Sequence, residues 1–219
     1  MIPVVEKFIS INGEGTRSGE LAAFIRLRGC NLSCSYCDTA WANDNNAPCK
    51  FYSAQELADW AESCGVLNVT ITGGEPLLCG EIGELCMALA QKGLRAEIET
   101  NGSLPVSGLA NEEYRPCFTL DYKLPSSGMY ESFCADNIDF LQKNDTIKFV
   151  CGTEEDLDTA AEVIERYSLC DKCYVYFSPV FGQIKAERIV EFMKEKGLNR
   201  VRLQLQIHKY IWDPDKRGV

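Results

Sequence analysis

The sequence predicts an α/β fold: a partial, open TIM-like barrel of about six parallel core strands with helices outside. Strand-like and helix-like segments alternate along the chain, as in the βα repeats that build parallel sheets. A length of 219 residues is short for a closed eight-stranded barrel. The chemically unusual residues fall just after successive strands, where such folds gather ligands.

Each element has its own signal. Ala22–Arg28 reads as the first core strand. Ser53-Ala54-Gln55-Glu56 is a capping box that opens a helix running to about Cys64. Leu67–Thr72 is β-branched and strand-like. Glu81–Lys92 has helical apolar spacing, and Gly93 is placed to end it. Arg95–Glu99 and Cys117–Tyr122 read as short strands, and Asn137–Lys143 as helical. Thr146–Cys151 is a strand, followed by a helix over Glu154–Tyr167 capped by Thr153. Tyr174–Ser178 is a strand, Ile184–Lys196 a helix ended by Gly197, and Arg200–Gln204 the last strand. With no linker or repeat between these segments, residues 1–219 read as a single domain.

Composition narrows the function. The formal net charge of −10 disfavours a nucleic-acid partner, because neutralising phosphates takes clustered Lys and Arg. No apolar run approaches the ~20 residues that span a bilayer. The segment Met1–Lys7 lacks the basic and apolar regions of a signal peptide, so the chain reads as cytoplasmic, without a membrane partner. Twelve cysteines are many for a reducing compartment, where disulfides are rare and metal or cluster binding is the commoner use.

Three of them stand as Cys30-x3-Cys34-x2-Cys37, directly after the first core strand. Soft thiolates this close can wrap one face of an iron–sulfur cubane. The fourth iron then lacks a protein ligand, and that open position can take a substrate or cofactor. A structural zinc site is the alternative; it needs four ligands, and Cys49 is available as a fourth. Gly73-Gly74-Glu75-Pro76 follows the second strand, Glu99-Thr100-Asn101-Gly102 ends the third, and Lys123-Leu124-Pro125 follows the fourth.

The triad, with Tyr36 before its last cysteine and Gly73-Gly74-Glu75-Pro76 at the next strand end, resembles the radical S-adenosylmethionine (SAM) superfamily. The flanking segments are more particular. Asn12-Gly13-Glu14-Gly15, Phe24-Ile25-Arg26, Cys37-Asp38-Thr39, Pro125-Ser126-Ser127-Gly128 and Gln206-Ile207-His208-Lys209 together resemble the 7-carboxy-7-deazaguanine synthases. The resemblance runs from about residue 4 to the C-terminus and makes the chain one radical SAM domain. It implies ring contraction of 6-carboxy-5,6,7,8-tetrahydropterin with loss of ammonia, in 7-deazapurine (queuosine) biosynthesis. It implies a [4Fe-4S] cluster, SAM and magnesium as cofactors. A flavodoxin or ferredoxin as electron donor and a homodimer are further expectations.

The resemblance also assigns residues. Cys30, Cys34 and Cys37 hold the cluster and Thr39 meets magnesium. Tyr36, Cys37, Asp38, Gly73, Gly74, Glu75, Glu99, Asp121, Tyr122, Lys123 and Gln206 contact SAM. Asn12, Gly13, Glu14, Arg26, Thr72 and Val219 contact the pterin. No side chain is assigned a catalytic role, since the radical is generated on SAM.

Other readings stay open. Arg26 also suits an ion pair, Glu14 a solvated loop acid, Thr39 a helix cap and His208 a structural hydrogen bond. Cys170-x2-Cys173 reads as non-catalytic, and Cys64, Cys79, Cys86, Cys117, Cys134 and Cys151 as small buried residues. The chain departs from the synthase pattern in two places: Asn12 stands where Gln is common, and Asp121-Tyr122 where Ser-Pro is common. A glycyl-radical activating enzyme shares the triad, and a zinc-binding interaction module is the non-catalytic alternative.

Overall fold

The computed structural model describes residues 1–214 and 216–219. In chain order its elements are β1 (Ile2–Ile11), β2 (Leu21–Leu27), α1 (Ala40–Asn43), β3 (Lys50–Tyr52), α2 (Ala54–Ser63), β4 (Asn68–Gly73), α3 (Ile82–Gln91), β5 (Arg95–Thr100) and α4 (Ser107–Ala110). They continue with β6 (Cys117–Tyr122), β7 (Thr146–Cys151), α5 (Glu154–Tyr167), α6 (Leu169–Lys172), β8 (Tyr174–Pro179), α7 (Ala186–Glu195), β9 (Val201–Leu203) and α8 (His208–Ile211). One nine-stranded sheet runs in the order β3-β1-β2-β4-β5-β6-β7-β8-β9. From β2 to β9 every pairing is parallel, and β1 runs antiparallel to both β2 and β3.

The open barrel is therefore seven parallel strands extended by an antiparallel pair. The expectation of about six core strands left out β1 and β3. The segment Asn137–Lys143, expected as helical, is a 3-10 helix over Ala135–Phe140 followed by an extended Leu141.

The strands alternate with period two, and this alternation builds the site. Outward-facing Ile71, Ile98, Phe118, Leu120, Ile147 and Phe149 are fully buried and form the core beneath the helices. Inward-facing Thr72, Glu99, Thr119, Asp121 and Lys148 line a cavity instead. Each outward aliphatic or aromatic side chain contributes about 1.5–3 kcal/mol on burial, which anchors the strands that carry the polar set. The loop between β1 and β2 crosses the open side of the barrel. There Gly15 N–H donates to Gln204 Oε1 at 2.9 Å, and Gln204 Nε2 donates back to the Gly15 carbonyl at 3.2 Å. This exchange carries Gly13 and Glu14 to the cavity.

Two capping boxes fix helix starts. Ser53 and Glu56 open α2, and Thr153 and Asp156 open α5. Asp156 also accepts from the Ser126 amide at 3.0 Å and the Gly152 amide at 2.7 Å, tying the loop after β6 to the end of β7.

Candidate active site

The cavity has a volume of about 580 Å³ and lies at the C-terminal ends of the parallel strands. That is within the roughly 300–1,000 Å³ typical of small-molecule sites. Cys30, Cys34 and Cys37 form one wall, and no other cysteine lines the cavity among the described residues. The loop carrying them is held from several sides. Ser35 N–H and Oγ donate to the carbonyls of Ser127 (3.0 Å) and Ser126 (2.7 Å). The Tyr36 hydroxyl donates to the Val150 carbonyl at 3.3 Å, and Gly29 N–H donates to the Ala42 carbonyl at 2.9 Å.

The donor set fits an open-site cluster. Leu32 N–H lies 3.4 Å from Cys30 Sγ, Asn101 Nδ2 3.7 Å from Cys30 Sγ and Asn43 Nδ2 3.5 Å from Cys37 Sγ. Such donors stabilise sulfur that carries negative charge. Burial raises the Cys30 and Cys34 thiols above their ordinary range, opposed at Cys30 by the Leu32 amide and at Cys34 by the Lys123 ammonium. Taking up a cluster therefore releases protons. Cys49 lies outside the cavity lining.

The second wall is Gly73-Gly74. Behind it Glu75 is 1% exposed and does not reach the cavity. It accepts from Leu77 N–H at 2.9 Å, Asn101 N–H at 2.7 Å and Thr100 Oγ1 at 2.8 Å, and so joins the ends of β4 and β5. Burial raises its carboxyl, and these donors oppose the rise. Glu75 thus positions the glycine segment, and its carboxylate is not part of the cavity wall.

Two further residues expected at the site lie outside the cavity lining. Tyr122 packs away from the cavity, its ring 4.4 Å from Phe133 and 5.4 Å from Phe149, because the pleat turns it outward beside inward Asp121. Asn12 is buried beneath the cavity, accepting from Thr70 Oγ1 at 2.7 Å. The other assigned residues come together. Gly13, Glu14, Arg26, Thr72 and Val219 line the cavity, as do Tyr36, Asp38, Thr39, Glu99, Asp121, Lys123 and Gln206.

Each of the residues with an open alternative has a definite neighbour. Arg26 is in an ion pair, its Nε donating to Glu6 Oε1 at 2.7 Å from the neighbouring strand. Only the Nη1/Nη2 end of the guanidinium remains for a ligand. Glu14 is no solvated acid: its carboxylate is 2.7 Å from Lys148 Nζ. Thr39 sits at the N-cap of α1 without capping it, and its hydroxyl donates to the Gly73 carbonyl at 3.4 Å. His208 makes no side-chain hydrogen bond among the described residues. Its ring lines the cavity against Gly13, and burial lowers its pKa, leaving it neutral. Asp38 pairs with Lys209 at 3.4 Å. Cys86, Cys151 and Cys173 are buried, whereas Cys64, Cys79, Cys117, Cys134 and Cys170 are half-buried.

Lys148 joins the site although no motif marks it. It is 7% exposed, with Glu14 and Asp121 on either side at 2.7 and 3.7 Å. Burial works against its ammonium, but Glu14, Asp121 and Glu99 outweigh that and raise its pKa. Burial likewise disfavours ionised Asp121, yet Lys123 at 3.0 Å and Lys148 keep it below the usual carboxylate range. A lysine inside the apolar run Thr146–Cys151 was the available signal, since lysine is seldom buried unpaired.

The radical SAM superfamily model matches residues 24–114. The 7-carboxy-7-deazaguanine synthase of Clostridium acetobutylicum is 51% identical, covering 99% of this chain and 98% of that protein. The synthase of Chlorobaculum tepidum is 37% identical, covering 99% and 96%. The crystal structure of QueE from Escherichia coli superposes with a TM-score of 0.75 at 24% identity, covering 93% of each chain. Streptococcus suis SuiB bound to S-adenosylmethionine shares the fold at a TM-score of 0.58 over 81% of this chain. Full-length similarity to synthases disfavours the glycyl-radical activase reading. Sequence, fold and cysteine wall agree: the chain belongs to the 7-carboxy-7-deazaguanine synthase family of radical SAM enzymes, which work with a [4Fe-4S] cluster and SAM.

Proposed function

We propose that residues 1–219 act as one radical SAM domain that converts 6-carboxy-5,6,7,8-tetrahydropterin to 7-carboxy-7-deazaguanine with loss of ammonia. The observation that carries this is a cavity with the cysteine triad on one wall and paired groups for a flat, carboxylated heterocycle on the others. Bound cluster and SAM supply the 5′-deoxyadenosyl radical that starts the ring contraction. Cys30, Cys34 and Cys37 hold the cluster. Gly73 and Gly74 keep the wall low enough for the methionine end of SAM, and Glu75 sets their position.

The remaining residues orient the pterin. The rings of Phe8 and Phe24 stack 5.1 Å apart with planes 5° from parallel, giving an apolar wall beside the polar set. Glu14, fixed by Lys148, accepts from pterin N–H donors. The free end of Arg26 takes the carboxylate, and Val219 forms another part of the cavity wall. Thr39 offers one hard oxygen to magnesium, an ion that keeps most of its other ligands as water or substrate oxygens. Thr72 donates to Glu99 at 2.8 Å and so presents an acceptor to the substrate.

The reduction needed to start the reaction points to a small one-electron carrier such as flavodoxin or ferredoxin. A homodimer in the cytoplasm, engaging neither nucleic acid nor membrane, completes the proposal. The net charge of −10 supports the nucleic-acid part. No helix among the described residues is long and apolar enough to cross a membrane. Steady-state kinetics of Arg26→Gln test the substrate assignment. A pterin KM raised at least tenfold, with SAM binding retained, is expected. An unchanged KM would remove Arg26 from the site.

A further inference from the structure

Four charged side chains of alternating sign cross the cavity. Glu14 Oε2 is 2.7 Å from Lys148 Nζ, Lys148 Nζ is 3.7 Å from Asp121 Oδ2, and Asp121 Oδ2 is 3.0 Å from Lys123 Nζ. Lys123 Nζ in turn lies 6.0 Å from the ring centroid of Tyr36, within the cysteine loop. These side chains are only 9–18% exposed, so solvent screens their charges weakly. The string joins the loop that presents Glu14 to the loop that carries the triad. Its centre is Lys148, one ammonium serving two carboxylates at unequal distances.

Asp121 is unevenly satisfied. Its Oδ2 has two ammonium partners, while its Oδ1 is buried with no hydrogen-bond partner among the described residues. A buried carboxylate oxygen without a donor is costly, so the carboxylate gains if it turns Oδ1 toward a ligand hydroxyl in the cavity that its side chain lines. Such a donor also draws off part of the charge with which Asp121 attracts Lys148. The ammonium then settles more fully on Glu14, fixing that carboxylate before a pterin N–H reaches it. Ordering completed by one ligand need not be repeated for the next, and this favours positive cooperativity.

We infer that Lys148 is a positioning residue that couples the cofactor side of the cavity, at Asp121, to the substrate side, at Glu14, so that SAM and the pterin bind cooperatively. The inference rests on the pterin reading proposed above. The coupling is reciprocal, since each ligand must change the affinity of the other by the same factor. It also gives Asp121 a role that the more common serine at this position does not supply.

Anaerobic titration of cluster-loaded protein with 6-carboxypterin, an oxidised and unreactive analogue, tests this with and without saturating SAM. In the parent protein SAM tightens pterin binding by about tenfold, within the usual range of coupling between sites. In Lys148→Met the ratio of the two dissociation constants falls to about one, and Lys148→Arg restores part of it. Asp121→Ser also takes the ratio to about one while each ligand still binds. Iron and sulfide content and melting temperature check that the variants are folded and loaded. A merely structural role weakens both affinities and leaves their ratio unchanged, and that outcome overturns the inference. So does a ratio of one in the parent. Failure of the pterin to bind under either condition instead overturns the substrate assignment, and the coupling with it.

Discussion

Gly74 lies against Gly29 backbone to backbone: a Cβ on Gly74 would stand 1.8 Å from the Gly29 carbonyl oxygen. The same carbonyl accepts from Glu75 N–H at 2.8 Å, so the loops after β2 and β4 are in register at this point. Gly74→Ala must separate them and move Cys30, the next residue after Gly29. A stability loss of about 2–3 kcal/mol is expected, together with reduced iron per chain after reconstitution. Gly80→Ala is the control, because nothing lies within 4 Å of its added Cβ. Equal iron contents in the two variants would contradict this account of the glycine pair.

Glu75 is predicted to act through geometry. Glu75→Gln replaces one carboxylate oxygen with an NH2 group that faces either the Asn101 amide or the Leu77 amide and Thr100 hydroxyl together. Opposing donors cost about 1–3 kcal/mol in a buried site. The melting temperature should fall, and SAM affinity should fall with it as the glycine wall shifts. Unchanged values for both would show that Glu75 does not hold the wall.

Much of this arrangement was legible in the sequence wherever the signal was local. The strands Cys117–Tyr122 and Thr146–Cys151 and the helix Glu154–Tyr167 carry their own periodicity and, in the helix, their own cap. What escaped depended on distant partners. Lys50–Tyr52 is a strand because it pairs with Ile2–Val4. Lys148 belongs to the site because Glu14 and Asp121, remote along the chain, fold to either side of it. The motifs placed Glu75 and Tyr122 near the cofactor, but the pleat and the turn after β4 decide which side chains face inward.

Glu97 gives the chain a pH signature. Burial pushes its carboxyl up to about 7, with like-charged Glu99 adding to the rise and the Thr119 hydrogen bond opposing it. The folded pKa exceeds the ordinary value of 4.5, so the folded chain holds this proton more tightly than the unfolded chain. The resulting stability is complete below about pH 4.5, declines as pH rises to about 7 and is level above that. Glu97→Gln should match the parent near pH 5 and exceed it at pH 8 by up to about 3 kcal/mol. Parallel melting curves across this range would show that Glu97 does not titrate there.

The C-terminal tail should govern substrate affinity. The Arg217 guanidinium lies 4.2 Å from the ring centroid of Trp41, in α1 just beyond the triad, and Gly218 and Val219 line the cavity. A cation–π contact of this kind is worth about 0.5–1 kcal/mol. Arg217→Ala is therefore expected to raise the pterin KM about two- to fivefold with little change in kcat. A fall in kcat at constant KM would place the tail in the chemistry instead.

The central claim is that the cavity beside the cysteine triad contracts a pterin ring. The direct measurement is product analysis of anaerobically reconstituted protein supplied with reductant, SAM, magnesium and 6-carboxy-5,6,7,8-tetrahydropterin. The expected result is 7-carboxy-7-deazaguanine and ammonia in equal amounts. Fully loaded protein that binds SAM, reduces its cluster and leaves the pterin unchanged would contradict it.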